Sequence, residues 1–400
     1  MEITIQDVAN GGDGIGRIDG KAYFVAGVMP GEEAAIEVTE DRGSFARARA
    51  LSLTTASPDR IEPPCRYFDR CGGCSWQYAA YPAQLVWKRD ILAGQLRHIG
   101  RVQDPPVADA VGTGDGYGYR NRIDLHVSDG MPALVERSSR RLVPIDACPL
   151  VRPELDELLP RLGSLAGVDR LTLRCGTATG DRIAVVAGAV PDQAPSWGVP
   201  VSVSTRKGVG AIIGKPYIFE AVAGVTFRIG AAAFFQVNTA GAEQLVRLVG
   251  DALQVDEGDT LLDGYCGGGL FSATVGAAAR FVVAVDNATD SLADARYNLE
   301  RALPHKHRVV AGRFEDRVPQ LGEPWTVAVV DPPRSGLGRR GVHAVTATEP
   351  RAIAYVSCDA ASLARDALLL AGVGYSLDWV VPVDMFPQTP HIEAVARFGL

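Results

Sequence analysis

A chain of 400 residues is long for one hydrophobic core, so two or three domains are expected. Hydrophobic residues make up 47% of it and charged residues 22%, as in a soluble protein, and no apolar run is long enough for a transmembrane helix. The net charge of −7 argues against a protein basic all over for nucleic acid, although phosphate contacts need Lys and Arg only locally.

The opening MEITIQDVANGGDG has no basic stretch leading into an apolar one, so no secretory signal is expected and the cytoplasm is the expected compartment. Residues 3–8, 22–28, 34–38 and 46–53 read as short strands separated by Gly-rich turns, which suggests a small OB-type barrel over 1–57. The proline-containing SPDRIEPPC is a linker. Residues 84–98 carry apolar side chains among charged ones and predict a helix, with a region near 82–99 that can pack on the last domain. Strand-like pieces return at 123–127, 171–175, 183–190, 201–204 and 211–213, within a central unit spanning 58–225.

From 226 to 400 the pattern changes to a Rossmann-like α/β alternation. Apolar runs at 261–263, 282–285, 328–330 and 352–356 each end in polar residues, with helical stretches at 240–253, 291–302 and 360–371 between them. A doubly wound parallel sheet binds ligands outside the carboxyl ends of its strands. At those ends lie LLDGYCGGGLFS, with glycines for close backbone approach, and VVAVDN, whose Asp286 suits a ribose. That spacing fits a dinucleotide as well as S-adenosylmethionine. The stiff acid–Pro–Pro loop of VVDPPRSG, with Asp331, favours the latter.

Cys358 follows the strand AIAYVS and so faces the same edge. It is a candidate nucleophile, provided its thiol pKa is lowered or a base lies nearby. Glu393, at the start of the expected last strand, is the candidate base. Among the seven cysteines, Cys65, Cys71 and Cys74 are clustered and Cys148 is a fourth partner. In a reducing compartment they read as a metal site, and their number suits zinc and an iron–sulfur cluster alike. Cys175 and Cys266 read as packed residues. Eleven Lys and Arg between Arg66 and Arg141, Lys88 among them, mark that region as the RNA-facing surface. The first fifty residues carry more acids than bases.

Taken together, these stretches resemble the RNA 5-methyluridine (uracil-C5) methyltransferase family along essentially the whole chain. GGDGIGRIDGKAYFVAGVMPGE looks like its TRAM domain, and CGGC with ACPL like its 4Fe-4S ligands, here Cys65, Cys71, Cys74 and Cys148. FFQVN matches the motif whose glutamine, Gln236, contacts the cofactor. DGYCGGGLF places Tyr265 at an aromatic cofactor contact, Asp286 at the ribose acid and Asp331 at the acid of DPPR. YVSCDA puts Cys358 on the nucleophile and HIE puts Glu393 on the general base.

The resemblance implies a class I methyltransferase domain, an N-terminal TRAM barrel and a small α+β central domain. It implies S-adenosylmethionine and a 4Fe-4S cluster as cofactors. The implied substrate is RNA, 23S rRNA ahead of the tRNA T-loop, with no DNA or membrane partner and a monomer as the default. The target uridine would be unstacked, with aromatics of FFQVN and DGYCGG stacking on it. Three departures bear on activity. Asp359 and Ala360 replace the usual Asn-Pro, so an inward-pointing acid would raise the thiol pKa; Leu270 replaces an Asn, and Arg313 a polar contact. An inactive RNA-binding homologue is the alternative. A radical enzyme is disfavoured by the five-residue first gap and the available fourth cysteine.

Overall fold

The computed structural model describes residues 1–400. Strands β1 (Glu2–Val8), β2 (Gly14–Ile18), β3 (Lys21–Ala26), β4 (Glu33–Asp41) and β5 (Phe45–Thr55) close into a barrel in the order β1-β2-β3-β5-β4. Alternation supplies its core, with Ile3, Ile5, Val25, Ile36 and Ala46 turned inward. Gly16 is needed for closure, because a Cβ there would meet Ile3 and the Thr4 carbonyl at 2.6 Å.

Helix α1 (Tyr81–His98) begins with Pro82 in its first turn. The strands that follow are β6 (Arg122–Ser128), β7 (Met131–Val135), β8 (Leu142–Pro144), β9 (Val168–Cys175), β10 (Arg182–Gly188), β11 (Val201–Thr205) and β12 (Gly208–Ile213), with the one-turn α2 (Pro153–Asp156) between β8 and β9. They form one sheet in the order β12-β11-β10-β9-β6-β7-β8, so the strand-like pieces of the central region belong together. The hairpin β13 (Tyr217–Val222) and β14 (Val225–Gly230) straddles residue 225 and lies against later helices.

The remaining elements are α3 (Thr239–Leu253), β15 (Thr260–Gly264), α4 (Leu270–Ala273), β16 (Phe281–Asp286), α5 (Thr289–Ala302), β17 (His307–Ala311), α6 (Phe314–Arg317), β18 (Val327–Val330), α7 (Gly338–Val345), β19 (Ala352–Ser357), α8 (Ala360–Ala371), β20 (Ser376–Val383) and β21 (Glu393–Gly399). The seven strands order as β17-β16-β15-β18-β19-β21-β20, parallel except for β21. This is a Rossmann-like methyltransferase sheet whose strand order reverses between β15 and β18, where such folds open a ligand crevice. Its central strands are buried on both faces and read as unbroken apolar runs such as VAVV and AIAYVS, whereas the edge strands β17 and β20 are partly exposed.

Helix α1 packs against α8 and β20 rather than against the central sheet. Trp87, Ile91, Leu92 and Leu96 of α1 share one core with Leu363 and Leu370 of α8 and with Cys74 and Trp76. The chain beyond α1 continues along β20, bridging Val107 to Val380 and Val111 to Val383.

Candidate active site

The carboxyl ends of β15, β16, β18 and β19 bring the glycine loop, Asp286, Asp331 and Cys358 to one edge of the sheet. The glycine loop turns sharply after Gly264: Tyr265 has φ +63°, Gly267 +52° and Gly269 +88°, left-handed values that favour glycine at the latter two. The Gly267 N–H donates to Asp286 Oδ2 and the Ala288 N–H to its Oδ1, both at 2.8 Å, which fixes the plane of that carboxylate. The Tyr265 hydroxyl donates to Glu315 at 2.7 Å and its ring stacks on Phe314 at 4.9 Å, so the side chain is held from two sides.

Phe234, Gln236, Tyr265, Gly267, Leu270 and Asp331 line one cleft here. The FFQVN segment is presented by the central sheet. Arg174 donates to the Ala233 and Phe235 carbonyls at 2.8 and 3.2 Å, and the Asn121 amide to the Gln236 carbonyl at 3.1 Å. Arg174 and Asn121 gave no signal in the sequence because their partners lie dozens of residues away. Of the aromatic candidates, Phe234 is 60% exposed at the cleft mouth. Phe235 lines the same cleft but is buried against Phe227 at 5.5 Å, so it offers a base far less surface than Phe234.

Under the cleft, Asp263 is fully buried. Its Oδ2 accepts from the Ser272 N–H at 2.9 Å and hydroxyl at 2.6 Å, while Oδ1 has no partner. Burial and then Asp286 push its carboxyl up to about 7. Asp331 is also pushed up to about 7, by burial and then by Asp263 and Asp286. Three carboxyls around one crevice leave it short of positive charge, which suits a cationic ligand.

Cys358 and Glu393 meet at the end of the β19–β21 pair. Ser357 pairs with Ala394 in an antiparallel register, and the next step sets Cys358 opposite Glu393, itself paired with Val383. Cys358 is half-buried and Glu393 buried. Burial, followed by Glu393 and Asp331, pushes the Cys358 thiol up to about 11, and Arg334 pulls it down. Burial and then Asp331 raise Glu393 well above the ordinary carboxylate range, again opposed by Arg334. Arg334, which the sequence did not single out, is therefore a cation whose charge acts on both groups. Asp359 does not point inward: its carboxylate caps α8 by accepting the Ser362 N–H at 2.7 Å. Arg313 is exposed and sits near Glu315 and Asp316 at 3.8 and 3.9 Å.

Cys65, Cys71, Cys74 and Cys148 line a single cavity of about 200 Å³ whose walls include Phe68, Ile123, Leu134 and Leu150. Burial and then neighbouring groups, the other cysteines among them, push Cys74 up to about 12, and burial likewise lifts Cys148 to about 11. The Gly73 N–H donates to Cys71 Sγ at 3.4 Å, and Arg137 braces the Cys74 carbonyl at 2.6 Å. No three His, Cys, Asp or Glu side chains are drawn together tightly enough to ligate one metal ion. The donor set, four thiols around one apolar cavity, is of the kind that can hold an iron–sulfur cluster. Cys175 and Cys266 are buried, with no part in this group.

The expected RNA-facing surface needs correction at Lys88, which is 1% exposed and bonded to Asp384 at 2.5 Å. Arg66, Arg89, Arg122 and Arg141 pair with acids, leaving Arg70, Arg97, Arg101, Arg120, Arg137 and Arg140 without an ion-pair partner in that stretch. On the barrel Lys21, Arg42, Arg47 and Arg49 are likewise tied to acids.

Residues 1–51 match the TRAM domain family and residues 209–310 the tRNA (Uracil-5-)-methyltransferase family. An uncharacterized RNA methyltransferase of Gloeobacter violaceus is 34% identical over 99% of this chain and 95% of its own length. The chain belongs to the RNA methyltransferase family. A second uncharacterized RNA methyltransferase, from Thermosynechococcus vestitus, is 31% identical over 99% of this chain and 97% of its own. The crystal structure of Pyrococcus abyssi tRNA (uracil-54, C5)-methyltransferase with S-adenosyl-L-homocysteine superimposes on this methyltransferase along 100% of both chains, with a TM-score of 0.78 and 27% identity. No helix of the methyltransferase is long and apolar enough to cross a membrane.

Proposed function

We propose that this methyltransferase transfers a methyl group from S-adenosylmethionine to carbon 5 of a uridine in RNA through a covalent Cys358–uracil adduct. The observation that carries this is the strand register that, continued one step past Ser357–Ala394, sets Cys358 opposite Glu393, on the sheet edge that also carries Asp331. The thiolate adds to carbon 6 and pushes electrons onto the carbon 4 carbonyl, so that carbon 5 becomes nucleophilic. Carbon 5 attacks the methyl carbon of the sulfonium donor, the S–CH3 bond breaks with its electron pair left on sulfur, and neutral S-adenosylhomocysteine departs. Glu393 then removes the carbon 5 proton, and the re-forming double bond expels the Cys358 thiolate. Gln236, Tyr265, Asp286 and Asp331 hold the methyl donor, its positive charge matched to the acidic crevice.

Cys65, Cys71, Cys74 and Cys148 would hold a 4Fe-4S cluster with a structural role, since polar methyl transfer needs no electron. The units are taken as 1–57, 58–225 and 226–400, in a cytoplasmic monomer acting on RNA and not DNA.

The substrate lean from the sequence is 23S rRNA. The second reading is the tRNA T-loop, favoured by the full-length likeness to a tRNA enzyme, whose match includes the barrel. Labelled methyl transfer to separate 23S rRNA and tRNA transcripts, with product nucleosides identified, divides the two. Label as 5-methyluridine in one RNA and none with Cys358→Ala is expected; label that persists in that variant refutes the covalent route. Iron and acid-labile sulfide in anaerobically purified protein, lost in Cys71→Ala, test the cluster.

A further inference from the structure

Glu393 opens β21, and the turn 384–392 connects it to its strand partner Val383. That turn is held almost entirely by groups from outside the catalytic sheet. Lys88 of α1 donates to Asp384 at 2.5 Å and to the Phe386 carbonyl at 3.1 Å. Gln84, one helical turn earlier, donates to the Gln388 side chain at 2.9 Å and accepts the Gln388 N–H at 3.0 Å. Thr113 donates to the Asp384 carbonyl at 2.8 Å and Tyr119 to that of Pro387 at 3.2 Å. The N–H groups of Ser75 and Trp76, next to Cys74, both donate to the Gln388 carbonyl, at 2.9 and 3.1 Å.

Gln84, Lys88, Asp384 and Gln388 are at most 1% exposed. Gln388 has φ +67°, a conformation that costs a side-chain-bearing residue and persists only when its surroundings impose it. A fully buried Lys–Asp pair is a poor source of stability relative to apolar packing, so its value here lies in fixing geometry. Cys358 is anchored separately, by β19 and the capped start of α8. The two reacting side chains are thus set by two different supports, and the one under Glu393 comes from α1.

We propose that Gln84 and Lys88 are positioning residues for Glu393: through Gln388 and Asp384 they set the turn that aims the base at carbon 5. This rests on the covalent route described above. Displacing the turn should leave thiol addition and methyl transfer intact and slow only the proton removal that releases product.

Gln84→Leu separates these steps. With 5-fluorouridine RNA the adduct forms without needing carbon 5 deprotonation, so its rate should stay within about threefold of wild type. Turnover on ordinary RNA should fall at least tenfold, and a methylated protein–RNA adduct should accumulate on denaturing gels. The double variant Lys88→Met/Asp384→Leu, which buries no lone charge, should do the same and carries the test if Gln84→Leu does not fold. Wild-type turnover in a folded variant overturns the proposal, as does an equal loss of adduct formation and turnover. Failure of the wild-type enzyme to form the 5-fluorouridine adduct refutes the covalent route itself, and the proposal with it.

Discussion

Cys358 and Glu393 lie opposite one another because β21 inserts antiparallel between β19 and β20, pairing Ala394 with Ser357. Strand register thus brings together a nucleophile and a base far apart in sequence, and the turn held by α1 then aims the base. Glu393→Gln keeps size and burial but removes the base. Its turnover should drop roughly 10²- to 10⁴-fold, the usual range for general base catalysis, while adduct formation persists. Cys358→Ala should form no adduct at all. Gel-shift of 5-fluorouridine RNA alongside steady-state methyl transfer checks both.

The Cys358 thiol, held up to about 11, is almost wholly protonated at neutral pH in the free protein. Since only the thiolate reacts, its alkylation by iodoacetamide should rise about tenfold per pH unit between pH 7 and 10. Arg334 stabilises the thiolate, so Arg334→Met should move that rise to higher pH and lower the rate at pH 8. Mass spectrometry of the labelled peptide, followed with pH, reads this directly. A Met variant alkylated as fast as wild type would remove Arg334 from the account.

Asp359 caps α8 instead of facing the thiol. Asp359→Asn should keep both the cap and the alkylation rate of Cys358. Asp359→Ala should cost about 1 kcal/mol of stability, the typical value of a lost N-cap, again without changing the thiol. Denaturant unfolding and alkylation together distinguish this from an acid that tunes the nucleophile.

Asp263 and Asp331 titrate near 7 in the folded protein against an ordinary 3.8. Between those values the native state keeps protons that the unfolded chain has lost, so stability is greatest below about 4 from these groups and declines as pH rises through 7. Asp263→Asn should raise the melting temperature of the ligand-free protein at pH 8 and have little effect at pH 5. Thermal unfolding at the two pH values decides it, and a variant less stable at pH 8 would contradict the assignment.

Phe234 and Phe235 are neighbours with opposite fates. Phe234→Ala should leave the fold intact and weaken RNA methylation, because the ring is exposed at the cleft mouth. Phe235→Ala should cost about 3–5 kcal/mol as a large core truncation. Melting curves beside methylation rates separate them.

The barrel and most of the parallel sheet were legible because alternation and apolar runs are local signals. Strands β7, β8, β13, β14, β17 and β20 were not; MPALV and HRVVA, for example, are short and lack a clear period. The reacting pair and the cysteine group were visible as motifs. Arg334, Arg174, Asn121 and the Lys88–Asp384 pair were not, because each acts through a partner that only the tertiary fold supplies. Lys88 looked like any surface lysine of a charged helix, and nothing local marks it as buried.

The contact between Gln84 and Gln388 spans 304 positions of sequence. At ordinary ribosomal speeds, helix α1 is made roughly a quarter of a minute to a minute before the turn it will grip. During that interval Trp87 can meet Trp76 and Gln84 the Trp76 and Ala79 carbonyls, but Lys88 and the face that packs on α8 lack their partners. The same long-range closure that aims the base therefore leaves apolar surface exposed until the last part of the chain is made, and makes late folding the step most exposed to aggregation.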